Sequence, residues 1–327
     1  MVHHGHRTSI IAGLHFNESL RSIPGVRGIY VKRSGKMRLF LNEAFWDFHS
    51  RIHPSAVVHE TYYSNRNYRT SHPVVITVYD MIDELFPVAA ARDNKALFKR
   101  HACNRADEII AISEITKKDL TQLYNIAPNK ITVVPLASWL PPSTSNARET
   151  DHPYLLYVGA RWDYKNFHNL IEAFASSTEL RERYTLVCFG GGEFTAAERE
   201  FFMHRGIAHR VSHRSGSDTE LAECYRSATC LVHPSLYEGF GLTILEAMSQ
   251  GCPVFCSKVP ALEEVAAGAA EYFNPYDTTD IRRTLESGLG DSRKLLAISV
   301  RGKDRVAFFS WDKCYRETLK VYDRARS

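Results

Sequence analysis

The sequence predicts an α/β protein built as two doubly wound halves, and three observations carry that reading. Short runs rich in Val and Ile alternate with stretches of helical period along most of the chain. Continuous apolar runs of this kind mean strands buried on both faces, the condition of parallel sheets covered by helices. A seam at residues 139–153 interrupts the pattern, where Pro141-Pro142-Ser-Thr-Ser-Asn is followed by charged and polar residues. That composition builds no core and reads as a linker. The length of 327 residues leaves room for a sizeable core on either side of it.

Taken in order, the expected strands of the first half are residues 56–58, 74–78, 108–112 and 131–134. Those of the second half are 154–158, 184–189, 230–233 and 254–257. Segments 166–176, 219–227 and 243–249 read at helical period between them. The tail from Phe308-Phe-Ser-Trp-Asp-Lys-Cys-Tyr to Val321-Tyr reads as a final amphipathic helix. The expected organisation is a first domain over 1–138, a linker over 139–153, a second domain over 154–305 and a closing helix over 306–327. No internal repeat is visible.

Composition narrows the class. Hydrophobic residues at 44% and charged residues at 24% are those of an ordinary soluble globular protein. No run reaches the roughly 18 apolar residues of a membrane span. Met1-Val-His-His-Gly-His-Arg has no apolar core, so it does not read as a signal peptide. Its three histidines fit a tag remnant, a metal tract or simply a polar start. The seven cysteines are odd in number and form no Cys-x-x-Cys pair, which argues against a disulfide framework and for a reducing cytoplasm. Cys188, Cys230 and Cys256 lie inside apolar runs, where a thiol acts as a small hydrophobe.

Charge is uneven. Residues 1–140 hold eighteen Lys/Arg against twelve Asp/Glu, whereas the remainder is slightly acidic. A basic first half suits an anionic partner, either a phospholipid surface met peripherally or a lipid-linked phosphate; scattered solvated charge is the alternative. No basic cluster interleaved with aromatics points to nucleic acid.

The chemistry concentrates in His233-Pro-Ser-Leu-Tyr-Glu-Gly-Phe-Gly-Leu-Thr-Ile-Leu-Glu-Ala-Met-Ser-Gln-Gly-Cys-Pro-Val. A buried strand ends near His233, a turn containing Gly239 and Gly241 follows, and a helix opens near Thr243. Glycines let a ligand approach the backbone, and a helix N-terminus offers unpaired N–H groups at a positive dipole end, so together they suit a diphosphate. Glu238 and Glu246 flank the turn. Ionised carboxylates only accept hydrogen bonds and so fit paired sugar or ribose hydroxyls. Singly, Glu246 is also explained by the helix dipole and Glu238 by an exposed loop; together with the glycine turn they read as a site.

Upstream, Tyr157-Val-Gly-Ala-Arg-Trp-Asp-Tyr-Lys-Asn-Phe places Arg161 and Lys165 after a strand that ends at Gly159. The strand ends of open α/β sheets bind ligands, and two cations there can neutralise a departing diphosphate. Gly190-Gly-Gly also fits a merely permissive turn.

The spacing Glu238-x7-Glu246 within Pro-Ser-x-x-Glu-Gly-Phe-Gly-Leu resembles the signature of the retaining glycosyltransferases of family 4. The resemblance runs on through Glu246-Ala-Met-x-x-Gly-x-Pro-Val to Val259-Pro-Ala-Leu-Glu-Glu-Val and Phe273-Asn-Pro, covering nearly all of residues 154–290. It implies the GT-B fold, two Rossmann-like domains facing a cleft, with the closing helix crossing back to the first domain. By the same resemblance Glu238 contacts the transferred sugar and Glu246 grips the ribose. Gly239, Phe240, Gly241, Leu242 and Thr243 form the turn whose amides hold the phosphates. Lys165 and Arg161 correspond to the cations on the diphosphate, and residues 211–217 to a loop around the nucleobase.

On the first domain, Thr77-Val-Tyr-Asp-Met-Ile-Asp-Glu-Leu-Phe-Pro resembles an acceptor-side element in which many members have His-Asp. Tyr79 stands at the His position, which leaves Asp80 as the candidate. Ser113 reads as a helix N-cap, and His59-Glu60 as cleft-lining or structural. Members begin with a strand, a glycine-rich loop and a helix; this sequence is expected to lack that unit and to have an incomplete first domain, with turnover impaired even where donor binding survives.

The resemblance implies transfer of a hexose, mannose favoured, from a GDP- or UDP-linked sugar to a glycan or lipid-linked acceptor, with no metal and no cofactor beyond that substrate. The absence of any Asp-x-Asp agrees. A nucleotide-sugar epimerase of the same fold and a binding-only homologue are the rival readings.

Overall fold

The computed structural model describes residues 10–15, 26–30, 57–63, 72–86, 94–140 and 152–327. Two parallel sheets dominate. The first is four-stranded and runs in chain order: β3 (Val58–Glu60), β4 (Val74–Val78), β5 (Glu108–Ala111) and β6 (Ile131–Val133). The second is six-stranded: β7 (Tyr154–Val158), β8 (Thr185–Phe189), β9 (Val211–Arg214), β10 (Cys230–His233), β11 (Val254–Ser257) and β12 (Glu271–Phe273), in the order β12-β11-β10-β7-β8-β9. Every pairing in both is parallel. Central strands such as β4, β10 and β11 are buried along their whole length, as their unbroken apolar runs require.

Short helices connect the strands of the first sheet: α1 (Ile82–Leu85), α2 (Lys95–Arg105) and α3 (Glu114–Tyr124). The second carries α4 (Phe167–Ser176), α5 (Thr178–Arg183), α6 (Ala196–His204), α7 (Asp218–Ser227), α8 (Leu242–Ser249), α9 (Pro260–Ala266), α10 (Thr278–Leu289) and α11 (Ser292–Val306). Their starts are written in the sequence. Thr195 with Glu198 and Ser217 with Glu220 form capping boxes on α6 and α7, each satisfying two amides that the helix leaves unpaired. Two apolar clusters sandwich the second sheet, one centred on Leu156, Leu231 and Leu245, the other on Leu155, Phe174 and Phe255. All seven cysteines are free, six of them buried, and burial pushes thiols such as Cys103 and Cys256 upward.

The last helix, α12 (Trp311–Arg326), lies on the first sheet rather than on the second. Val321 is fully buried with Val75, Ile110 and Val134, Tyr322 bonds His59 at 2.6 Å, and Arg324 pairs with Glu108 at 3.0 Å.

Two short strands precede the first sheet, β1 (Ile10–His15) and β2 (Val26–Tyr30), paired in parallel with each other. The sequence pattern pointed to no strand before residue 56, because both carry glycine and neither forms an uninterrupted apolar run. Among the described residues they stand apart from the four-stranded sheet.

Candidate active site

The second sheet reverses its chain order between β7 and β10. From β7 the chain moves outward to β8 and β9, and from β10 it moves the other way to β11 and β12. Connections leaving two such neighbours diverge and open a crevice at the C-terminal strand ends, where α/β proteins bind ligands. Both motif segments leave the sheet at that point.

On the β10 side, α8 is opened by Gly241 in the left-handed region at φ 106°. A Cβ there would be strained and would meet Leu262 Cδ2 at 2.7 Å. Gly241 has no side chain to cap the helix, which leaves the first-turn amides at Leu242 and Thr243 without a capping side chain at the positive end of α8.

On the β7 side, Lys165 closes a short 3₁₀ turn, Asp163–Lys165. Two contacts lock this turn to the β10 loop, Leu236 N donating to Tyr164 O at 2.7 Å and the Asn166 amide donating to Pro234 O at 3.0 Å, and the same amide ties it to the segment after β12 through Pro275 O at 2.8 Å. The lock brings Lys165 Nζ to 2.7 Å from Glu238 Oε1. His233 Nε2 donates to the same oxygen at 2.9 Å. Burial pushes the Glu238 carboxyl up, but the Lys165 charge and the His233 hydrogen bond outweigh it and hold it at about 2. Because that folded value lies below the ordinary 4.5, the arrangement stabilises the fold above pH 4.5, and the contribution is lost as pH falls toward 2.

Arg161 departs from expectation. Its nearly buried guanidinium donates from Nε to Glu198 at 2.7 Å, from Nη1 to Gly190 O at 3.1 Å, and from Nη2 to Gly192 O at 2.9 Å and Glu193 O at 3.0 Å. Three consecutive left-handed glycines, φ 76°, 69° and 79°, shape the loop so that the carbonyls of Gly190, Gly192 and Glu193 meet one planar fork. Arg161 therefore fastens the glycine loop at the C-terminal end of β8. The middle glycine is required, since a Cβ on Gly191 would collide with Gly159 O, while Gly190 and Gly192 are favoured by their left-handed backbone alone.

Glu246, half-buried on α8, accepts from Tyr225 OH at 3.1 Å, and burial pushes its carboxyl up. Residues 211–217, expected as a loop, are mostly edge strand β9, with Ser215–Ser217 left as the connection. Arg214 and Ser215 line an open groove of about 840 Å³ that also takes in Phe189, His213 and Glu220.

The first domain meets this crevice at Gly239. An added Cβ there would lie 1.9 Å from Tyr79 O and 2.8 Å from Asp80 Cβ. Asp80 is held by its neighbours: Oδ1 accepts from Ile82 N at 3.0 Å and lies 3.6 Å from the wholly buried Lys99 Nζ, which also donates to Asp80 O at 3.0 Å and Glu84 at 2.8 Å. Ser113 caps α3, as expected, and also donates to Gly239 O. Tyr237 OH donates to Asp119 at 2.7 Å, and Glu264 accepts the Glu114 N–H at 3.0 and 3.1 Å. His59 is tied to Tyr322 and Thr77, with burial lowering it to about 4, and it also lines a cavity with Tyr79 and Trp311; Glu60 pairs with Arg105.

The residues that sequence reasoning missed are His233, Lys99 and Tyr225. His233 carried one available signal, since a polar residue ending a fully apolar strand stands where the sheet opens to ligand.

A parallel sheet that reverses at a crevice, with a glycine-led helix on the β10 wall and a lysine from the β7 wall paired to a carboxylate of the β10 loop, defines the class as a doubly wound α/β protein with its candidate site at the switch point. Comparison with known families gives the particular. The family described as Glycosyltransferase Family 4 matches residues 1–137, and that described as Glycosyl transferases group 1 matches residues 143–305. The chain belongs to these glycosyltransferases, and its fold is GT-B. It is similar to the O-antigen chain mannosyltransferase B of Escherichia coli, 30% identical over 65% of this chain and 60% of that protein. An O-antigen chain mannosyltransferase of Salmonella typhimurium is 26% identical over 72% of this chain and 65% of its own. This chain thus spans less than two-thirds of the length of these two relatives. Among solved structures, a sucrose-phosphate synthase from Thermosynechococcus elongatus superposes with a TM-score of 0.76 at 23% identity, covering 92% of this chain and 84% of that one. Among the described residues no helix is long and apolar enough to cross a membrane.

Proposed function

We propose that the chain transfers a hexose, mannose favoured, from a nucleotide-diphosphate sugar to a glycan or lipid-linked acceptor with retention of configuration. The observation that carries this reading is the Lys165–Glu238 pair spanning the sheet's reversal point beside the uncapped start of α8. The diphosphate lies between the Lys165 ammonium and the amides of Leu242 and Thr243. Glu238 accepts hydroxyls of the transferred sugar and Glu246 those of the ribose, as acceptor-only groups do. Asp80, one residue from the backbone that touches Gly239, faces the acceptor. The mannosyltransferase relatives support the choice of sugar. The excess of Lys/Arg over residues 1–140 supports peripheral contact with an anionic membrane, at its cytoplasmic face, where a lipid-linked acceptor is presented.

Binding measured across GDP-, UDP-, ADP- and dTDP-sugars, followed by product analysis, tests the reading. A GDP- or UDP-hexose is expected to bind best and to release free nucleoside diphosphate on turnover. Recovery of an epimerised nucleotide sugar instead would identify an epimerase.

Two further results are expected. Glu246→Ala weakens binding of the nucleoside diphosphate by about 1.5–3 kcal/mol, the usual loss for hydrogen bonds to a charged group; unchanged affinity by calorimetry in a folded variant would remove Glu246 from the site. Turnover persists in EDTA, because Lys165 and the helix amides supply the positive charge and the sequence has no Asp-x-Asp. Loss in chelator, reversed by magnesium or manganese, would show that a divalent ion neutralises the diphosphate.

A further inference from the structure

Glu238 Oε1 is held by two donors of unequal mobility. Lys165 sits on a turn, with a flexible four-carbon stem, and its side chain keeps some exposure. His233 is the last residue of β10, in register with Cys256 on β11, and its ring is almost wholly buried. One of the two can move and the other cannot.

The proton assignment follows from the contacts. An ionised carboxylate only accepts, so the 2.9 Å contact requires a proton on His233 Nε2. Ser235 Oγ, 3.3 Å from the same nitrogen, then takes a weaker share of that N–H. The histidine is thus a fixed N–H donor aimed at one oxygen of Glu238.

The two donors face different demands when donor substrate arrives, on the reading of the site given above. A diphosphate presents more negative charge to Lys165 than a single carboxylate does, so the ammonium transfers to it. Glu238 then loses its counter-charge at the moment when it must stay ionised and aimed to accept sugar hydroxyls. Burial alone would favour its neutral form, which donates where acceptance is needed.

We infer that His233 is a positioning residue that keeps the Glu238 carboxylate ionised and oriented while Lys165 moves onto the donor's diphosphate. It touches neither substrate nor leaving group and acts only through Glu238. The Lys165–Glu238 pair is accordingly the donor-free arrangement, and the His233–Glu238 bond is the one that persists through turnover.

The experiment compares His233→Phe, which keeps bulk and removes the donor, with His233→Gln, whose side-chain N–H₂ reaches to about the position of Nε2. Steady-state kinetics on the full chain with a GDP- or UDP-hexose are read beside thermal melting, with Glu238→Gln assayed in parallel. His233→Phe is expected to lower kcat by at least 10-fold with donor KM changed less than about 3-fold, and His233→Gln to recover most of the loss. Equal kcat in His233→Phe and wild type overturns the inference and leaves the transferase reading standing. A loss that follows Tm and is not rescued by Gln makes His233 a core residue and also overturns it. Wild-type turnover in Glu238→Gln overturns the reading of the site, and the inference with it.

Discussion

Lys165→Ala is expected to lower kcat by on the order of 10²-fold or more, the scale seen when one preorganised electrostatic donor is removed, while affinity for the intact donor falls much less. As the sugar–phosphate bond breaks, negative charge grows on the leaving phosphate oxygens, so a cation fixed there stabilises the transition state more than the ground state. The turn that carries Lys165 is locked to the β10 loop through Leu236 and Asn166, so the ammonium is delivered by the fold. Its removal has a second consequence. Glu238, held at about 2 chiefly because Lys165 and His233 outweigh its burial, keeps only His233 and moves up. The acid limb of kcat/KM, which reports the donor-free enzyme, therefore shifts toward neutral pH in Lys165→Ala relative to wild type. Lys165→Arg restores only part of the rate, because a planar fork does not replace a compact ammonium. Steady-state kinetics with an acceptor, or donor hydrolysis without one, decide the matter. Wild-type turnover in Lys165→Ala would reduce the residue to surface charge.

Much of the fold was legible because its central strands are unbroken apolar runs. Residues 74–78, 154–158, 230–233 and 254–257 were expected as strands and are strands end to end. The two missed in the second sheet are its edges. β9, Val-Ser-His-Arg, is polar at three of its four positions and exposed at Ser212 and Arg214, and β12 is three residues long. An edge strand needs no apolar run, so periodicity is silent about it.

The site divides along the same physical line. Glu238, Glu246 and the glycine turn were visible because their chemistry depends on local spacing, and the structure brings Glu238 against Lys165 across 73 residues of chain. The part Arg161 plays in holding the glycine loop was not legible, because it depends on where distant carbonyls point. Nothing in Gly190-Gly-Gly announces that the carbonyls of Gly190, Gly192 and Glu193 converge on one guanidinium. The buried Lys99 under Asp80 was missed for a similar reason: a lysine reads as solvent-facing until its carboxylate neighbours are known to converge on it.

Gly239→Ala is expected to lower turnover by roughly 10²-fold, the cost of a misplacement of about 1 Å at a reacting centre, without unfolding either domain. Gly239 is not in the left-handed region, so alanine is compatible with its backbone. The conflict lies between domains. The new Cβ would stand 1.9 Å from Tyr79 O and 2.8 Å from Asp80 Cβ, and neither is the free end of a flexible side chain. Relief requires the first domain to move away from the β10 loop. That movement breaks the bonds from Ser113 and Thr116 to Gly239 O, and it draws Asp80 away from the transferred sugar. Nucleotide affinity should change little, since Glu246, Lys165 and the α8 amides all belong to the second domain. Three measurements check this: calorimetry with the nucleoside diphosphate, turnover, and the radius of gyration by solution scattering. Near-native affinity, lost turnover and an expanded particle are the expected set. A variant with wild-type turnover and an unchanged radius would mean that the closed contact between Gly239 and Tyr79 is not part of the working enzyme.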